Sequence, residues 1–190
     1  MTIEQFTVQP TFVILVAIVL SVIGIIVLVT GLSSRLYGPA KSHNFGKGMS
    51  SRWVLIIVGL TVIGLGVGLF AFGGMPSTIT VGSSYVHLQS SPLFGVGDIN
   101  ISSSEIASAY VAQIGSGNLS LPIRQNGISA GNLNLGVFTL GNGHTAYVAS
   151  TNSTDLIIQL NNGKYVILGT SNTTALASSF SQNVYPLKSP

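Results

Sequence analysis

The sequence predicts a membrane protein with two transmembrane α-helices, followed by an extracytoplasmic, mainly-β domain of about seven antiparallel strands and one C-terminal helix. Three observations predict it. Residues 11–32 and 53–74 are uncharged and apolar, each long enough for a helix to cross the ~30 Å hydrocarbon core of a bilayer. The segment between them, residues 33–52, holds four of the seven basic residues and no acidic one. Beyond Pro76 the composition turns to Ser, Thr, Asn and Gly around short β-prone runs.

The composition agrees. Only 6% of residues are charged and 46% are hydrophobic, where a soluble domain carries about 25% charged residues. The net charge of +3 is not a basic surface: the loop alone supplies Arg35, Lys41, Lys47 and Arg52, and from Pro76 onward Arg124, Lys164 and Lys188 balance Asp98, Glu105 and Asp155. Nucleic acid is therefore not an expected partner. Without cysteine there can be no disulfide, thiolate metal site or cysteine nucleophile.

The leading residues 1–10, "MTIEQFTVQP", carry Glu4 and no Lys or Arg, and no small-residue cleavage pattern follows the apolar run. The first span therefore reads as a retained helix rather than a signal peptide. Lys and Arg beside apolar spans stay cytoplasmic, and short loops follow this bias best. Residues 33–52 are thus expected inside and both termini outside, with Trp53 as an interfacial anchor. A functional reading of the same loop is contact with anionic lipid head groups, but the topological role suffices.

Inside the spans, Ala17 and Ser21, and Gly64 and Gly68, recur at i,i+4. Small residues at this spacing let helix backbones approach, and the expected use is pairing of the spans with each other or with another subunit. Gly64, Gly66 and Gly68 lie within apolar sequence, so they read as packing positions and not as a phosphate loop. Neither span holds an ionisable residue, which argues against a proton relay or ion path in the bilayer. No cofactor is expected.

The domain boundary is placed near Pro76, leaving residues 76–190 for the outer domain. "TITV", "YVHLQ", "DINIS" and "IASAYVAQI" are β-prone runs, with "GSGN" and "QNG" as turns. "GVFTLGNGHTAYVAS" and "DLIIQLNNGKYVILGT" each place Asn-Gly between two such runs, the signature of a hairpin with a type I′ turn. In the second, Leu156, Ile158 and Leu160 are expected to share a face with Tyr165 and Ile167. Leu176, Phe180 and Val184 then switch to helical spacing, with Ser171 or Asn172 as N-cap.

From about Ser84 to Val184 the pattern resembles the bacterial and archaeal pleckstrin-homology-like (PH-like) domains attached to membrane helices. The stretches that carry it are "ISSSEIASAYV", "LPIRQNGISAGNLNLGVFTL", "GNGHTAYV" and "LIIQLNNGKYVILGTSNTTALASSF". Within them Arg124 and Gly127 form Arg-x-x-Gly ahead of the Gly-x-Phe of Gly136 and Phe138. The resemblance implies a bent seven-stranded antiparallel sheet closed by a helix, and a role in protein interaction. Eukaryotic members bind phosphoinositides through a basic loop. Here three scattered basic residues supply no such cluster, which argues against phosphoinositide binding.

Four Asn-x-Ser/Thr sequons, at Asn100, Asn118, Asn152 and Asn172, fall in the domain expected outside, where N-glycosylation operates. No G-x-S-x-G is present, and the serine run Ser102, Ser103 and Ser104 has no base at a recognisable spacing. His87 and His144, with Asp98, Glu105 and Asp155, are the remaining candidates for catalysis or metal binding; surface and turn positions are the simpler reading, and no metal or catalytic site is expected. Arg124, a lone arginine in a charge-poor domain, is expected to be a structural anchor held by a carboxylate or by carbonyls. So few carboxylates leave little ionisation-dependent stability to lose in acid, which suits an acidophilic archaeal exterior.

The resulting expectation is a non-catalytic interaction or scaffold protein in the cell membrane. Its partners would be the lipid bilayer and another membrane or envelope protein, bound through a strand edge or barrel groove. The short linker "GGMPS" would keep the domain near the bilayer. Two alternatives stay open: an accessory subunit of a respiratory or transport complex, and an envelope enzyme using His87 or His144.

Overall fold

A computed structural model describes residues 3–33, 51–90, 96–115 and 117–188. The chain divides into two compact units, residues 11–74 and residues 1–10 together with 75–190.

The first unit is a pair of helices, α1 (Thr11–Ser33) and α2 (Ser51–Gly68), the latter ending in a π-helical turn, Leu69–Gly73. Both helices are long and apolar enough to cross a membrane. Their contact follows a seven-residue repeat of small residues: Ala17, Gly24 and Gly31 are buried on α1, and Gly59, Gly66 and Gly73 on the facing chain. A seven-residue period keeps one seam against the partner helix, and glycine in that seam lets the backbones touch. A Cβ on Gly24 would stand 2.8 Å from Ile63 N, and one on Gly59 2.8 Å from Leu28 N. Of the small residues singled out by spacing, Ala17 and Ser21 border this seam, Ser21 lying against Gly66 and donating to Ala17 O at 2.8 Å. Gly64 and Gly68 point away from it, with nothing within 4 Å of an added Cβ.

The second unit is mainly β. Its first sheet is antiparallel in the order β1 (Glu4–Val8), β2 (Ser77–Gly82), β3 (Tyr85–Gln89), β4 (Asp98–Ser102). β1 comes from the leading residues, which the sequence left as a tail, and pairs Phe6 with Ile79 and Val8 with Ser77. A one-turn 3₁₀ helix, Ser103–Glu105, leads to the second sheet; the Glu105 carboxylate accepts from Ser102 N at 2.8 Å and the Ser102 hydroxyl from Ser104 N.

The second sheet holds β5 (Ile106–Gln113), β6 (Ile123–Ala130), β7 (Leu133–Thr139), β8 (Thr145–Ser150), β9 (Thr154–Leu160) and β10 (Tyr165–Gly169), in the order β5-β9-β10-β8-β7-β6. Helix α3 (Thr173–Asn183) follows, capped by Asn172, whose Oδ1 accepts from Ala175 N at 3.1 Å. Among the described residues nine strands thus follow α2, in place of about seven, and they form two sheets. One pair, β8 with β10, is parallel, because β10 turns back from β9 and inserts between β9 and β8. That departs from the all-antiparallel sheet the resemblance implied.

Two turn expectations are corrected. "QNG" is not a turn: Gly127 lies within β6, opposite Gly136 on β7, beside a bulge between Arg124 and Asn126. Both glycines have φ above +110°, at +119° and +131°, and an added Cβ on either would strike the opposite strand's backbone. The chain turns instead at Gly131 and Asn132, between the paired Ala130 and Leu133.

The Asn-Gly hairpins exist, β7–β8 and β9–β10, but not with type I′ turns. Those need positive φ at both central residues, and only Gly143 and Gly163 have it. Each loop is a three-residue turn closed by Gly143 N to Leu140 O or Gly163 N to Leu160 O, with Leu140 N to His144 O and Leu160 N to Lys164 O beneath. The Asn142 and Asn162 side chains accept from His144 N and Lys164 N, both at 3.0 Å, in the Asx-turn pattern.

The extra loop residue shifts the register by one, which turns every side chain of the returning strand to the other face. Tyr165 pairs with Gln159 and Ile167 with Ile157. Leu156 and Ile158 therefore share their face with Val166 and Leu168, not with Tyr165 and Ile167. Both faces are buried, so the central strands are apolar throughout. One core joins the first sheet and α3, through Val8, Ile79, Leu88, Leu176 and Phe180, to Leu156, Ile158, Val166 and Leu168. The other face packs Ile157, Tyr165 and Ile167 against Phe138, Val148, Leu119 and Leu121.

Candidate functional site

β8 and β9 are joined by three residues, Thr151–Ser153, yet β10 lies between them in the sheet. The join must cross the end of β10, which is Gly169. There the absence of a side chain lets residues from the two flanking strands meet: Ser150 Oγ, from β8, donates to Asp155 Oδ1, from β9, at 2.9 Å. A Cβ on Gly169 would run into both atoms. Both side chains are fully buried.

A polar network spreads from this pair. Ser150 Oγ accepts from Asn152 N and lies in reach of Asn152 O, each at 3.1 Å. Asn152 Nδ2 donates to Thr170 O at 3.4 Å, and Thr151 N to Gly169 O at 3.1 Å. Thr173 Oγ1 donates to Thr170 O at 3.0 Å and accepts from Thr170 N at 3.2 Å, tying the same turn to the start of α3. Asp155 Oδ2 is buried with no hydrogen-bond partner. Burial raises the Asp155 pKa to about 6, opposed by the Ser150 hydrogen bond, because a charge out of water without a cation is costly. Ser150 is too deeply buried to meet an external substrate.

Asn152 stands between two concavities. One, of about 440 Å³, is lined by residues including Ser120, Pro122, Asn132, Asn134 and Ser153. The other, of about 270 Å³, lies between Val111 on β5 and residues 171–174 and Ala177 at the start of α3. Among the described residues neither has a charged side chain in its lining, and both present amide and hydroxyl groups beside apolar ones.

The residues nominated from sequence are dispersed. His87 is half-buried on β3 of the first sheet, and His144 is exposed at the turn before β8 of the second, its ring 5.8 Å from that of Tyr165. No group of three or more His, Asp or Glu that could hold a metal ion occurs among the described residues. Ser102 and Ser104 serve the 3₁₀ cap. Arg124 is exposed on β6; no hydrogen bond or ion pair holds its guanidinium among the described residues, so the anchoring inferred from its isolation is not seen. β6 is the outer strand of its sheet, which leaves the Arg124 side chain exposed.

Of the sequons, Asn100, Asn118 and Asn172 are exposed, whereas Asn152 is half-buried and its Nδ2 is bonded to Thr170 O. At Asn172 the capping bond uses Oδ1 and leaves Nδ2 available. Arg35, Lys41 and Lys47, and the Arg52 side chain, lie outside the described residues. Sequence reasoning missed the Ser150–Asp155 pair; its one legible signal is a lone carboxylate leading an apolar strand, "DLIIQL".

Comparison with protein-family models, with curated proteins and with solved structures finds no match to this chain.

Proposed function

We propose that this chain is a non-catalytic, membrane-anchored interaction or scaffold protein whose β-rich domain is displayed on the outer face of the cell membrane. The observation that carries the reading is the β1–β2 ladder. The strand before the first apolar helix pairs with the strand after the second, so both flanks share one side of any bilayer that the hairpin crosses. The positive-inside rule then puts Arg35, Lys41, Lys47 and Arg52 on the cytoplasmic side. Exposed Asn100, Asn118 and Asn172 are the positions where an exterior glycan would be attached.

The partner is another membrane or envelope protein. The β6 strand ends the second sheet with Ile123 and Arg124 exposed, and an extended segment can add to such an edge. The β5 edge is partly taken by the chain's own end, since Lys188 N donates to Ala109 O at 2.8 Å. From the PH-like resemblance only the β-rich domain with its C-terminal helix is carried into this reading, because the β8–β10 pair is parallel.

An accessory role in a larger membrane complex is the second reading, favoured by Gly64 and Gly68, which leave an unfilled close-approach face on α2. Catalysis by His87 or His144 draws no support from their placement, His87 on β3 of the first sheet and His144 in the turn before β8 of the second.

Extraction of the tagged protein from its own membranes in mild detergent, followed by native mass spectrometry, tests the proposal. A fixed-stoichiometry complex with a second protein is the expected result. A particle containing this chain alone, under conditions that keep known membrane complexes intact, would oppose it.

A further inference from the structure

We propose that the buried Ser150–Asp155 pair is a proton-binding site that holds the β8–β9 turn closed in acid and loosens it as the proton leaves. The inference stands on the β unit alone and does not depend on its side of the membrane.

The geometry gives the two states different hydrogen-bond ledgers. Ser150 has one hydroxyl proton and two acceptors in reach, Asp155 Oδ1 at 2.9 Å and Asn152 O at 3.1 Å. With Asp155 ionised, the proton goes to the carboxylate; Asn152 O loses that donor and Oδ2 holds charge with no partner. With Asp155 neutral, its own O–H donates to Ser150 Oγ and Ser150 donates to Asn152 O. The chain from Asp155 through Ser150 to Asn152 O is then complete, and Oδ2, still without a partner, carries no charge.

Among the described residues, no cation is placed to change this balance. Asp155 is met by Ser150 from β8, by Gly169 from β10 and, across the β5 ladder, by Ala112. Titratable groups on those elements are Tyr110 on β5, Tyr147 on β8 and Tyr165 on β10. His144 and Lys164 precede β8 and β10, whereas Ser150 and Gly169 end them. Among the described residues, burial raises the Asp155 pKa and the Ser150 hydrogen bond lowers it.

A folded-state pKa above the unfolded value means that folding binds the proton more tightly. The stabilisation is complete below the ordinary value of 3.8 and is lost as pH rises through about 6. The reader of this change is Asn152, whose backbone is bonded to Ser150 and whose side chain borders both concavities. Acid would fix that wall of each concavity and neutral pH would free it.

The test uses the full chain in detergent micelles. Unfolding by denaturant is followed from pH 3 to 8 for the native chain and for Asp155→Asn, which keeps the shape without the titration. The native unfolding constant is expected to rise on the order of 100-fold between pH 4 and 7, and the variant's curve to lack that rise. In the native chain, the ¹³C carboxyl resonance of Asp155 should titrate near pH 6, and exchange of the 151–153 amides, corrected for intrinsic rates, should quicken through the same range. A carboxyl midpoint below pH 4 overturns the proposal whether or not Asp155→Asn folds. So does equal pH dependence of the two proteins, or amide exchange that ignores the titration.

Discussion

Gly169 decides more than its size suggests, because its bare Cα is the floor on which Ser150 and Asp155 meet. Gly169→Ala has no space for its Cβ, and overpacking of a fixed site costs up to about 3 kcal/mol. Urea denaturation of the detergent-solubilised chain should register that loss, and a change under ~0.5 kcal/mol would contradict the packing described. The helix seam makes a parallel claim with an internal control. Gly59→Leu would force a side chain into the Leu28 backbone, whereas Gly64→Leu meets open space. The first should lower the midpoint of thermal helix loss in detergent and the second leave it nearly unchanged; equal effects would place the seam elsewhere. At this scale the sequence was only partly legible. Spacing at i,i+4 picked out Gly64 and Gly68, yet the contact runs at intervals of seven through Gly24, Gly31, Gly59 and Gly66. Both patterns are present in a glycine-rich span, and only the partner helix chooses between them.

Hairpins carry the lesson at the scale of elements. β-prone runs located β7, β8, β9 and β10, and Asn-Gly located their turns, because both signals are local. Register was not legible, since a loop of two residues and one of three can share the same Asn-Gly pair. Inserting one alanine between Lys164 and Tyr165 tests this directly. With the Leu160–Lys164 pair kept, the insertion would move Tyr165 and Ile167 onto the face of Ile158 and Leu156, against the native pairing. The insertion should abolish the folded domain, seen as loss of protease resistance, while the milder Gly163→Ala, at φ +80°, should cost about 1 kcal/mol. An insertion variant with native protease resistance would show that register is not fixed by this turn. α3 was the most readable element, as its cap, Asn172, and its buried stripe, Leu176 and Phe180, all lie within nine residues.

On the scale of the whole molecule, the two apolar helices were legible from length and composition alone, whereas the joining of the chain's beginning to its β domain was not. β1 is five residues of ordinary composition, and its partner β2 begins 69 positions after it ends; no local pattern reports so distant a pairing. The parallel β8–β10 pair and the Ser150–Asp155 contact escaped for the same reason, since an inserted strand decides which residues become neighbours. Yet the β1–β2 ladder is the feature on which the proposed topology rests.

The most direct test of that topology exploits the absence of cysteine, which makes any introduced thiol unique. Gln5→Cys in β1, Ser42→Cys in the basic loop and Ser178→Cys on α3 would each be exposed in intact cells to a membrane-impermeant maleimide. The account predicts that positions 5 and 178 label from outside and that position 42 labels only after the membrane is opened. Labelling of position 42 in intact cells, or positions 5 and 178 on opposite sides, would contradict it.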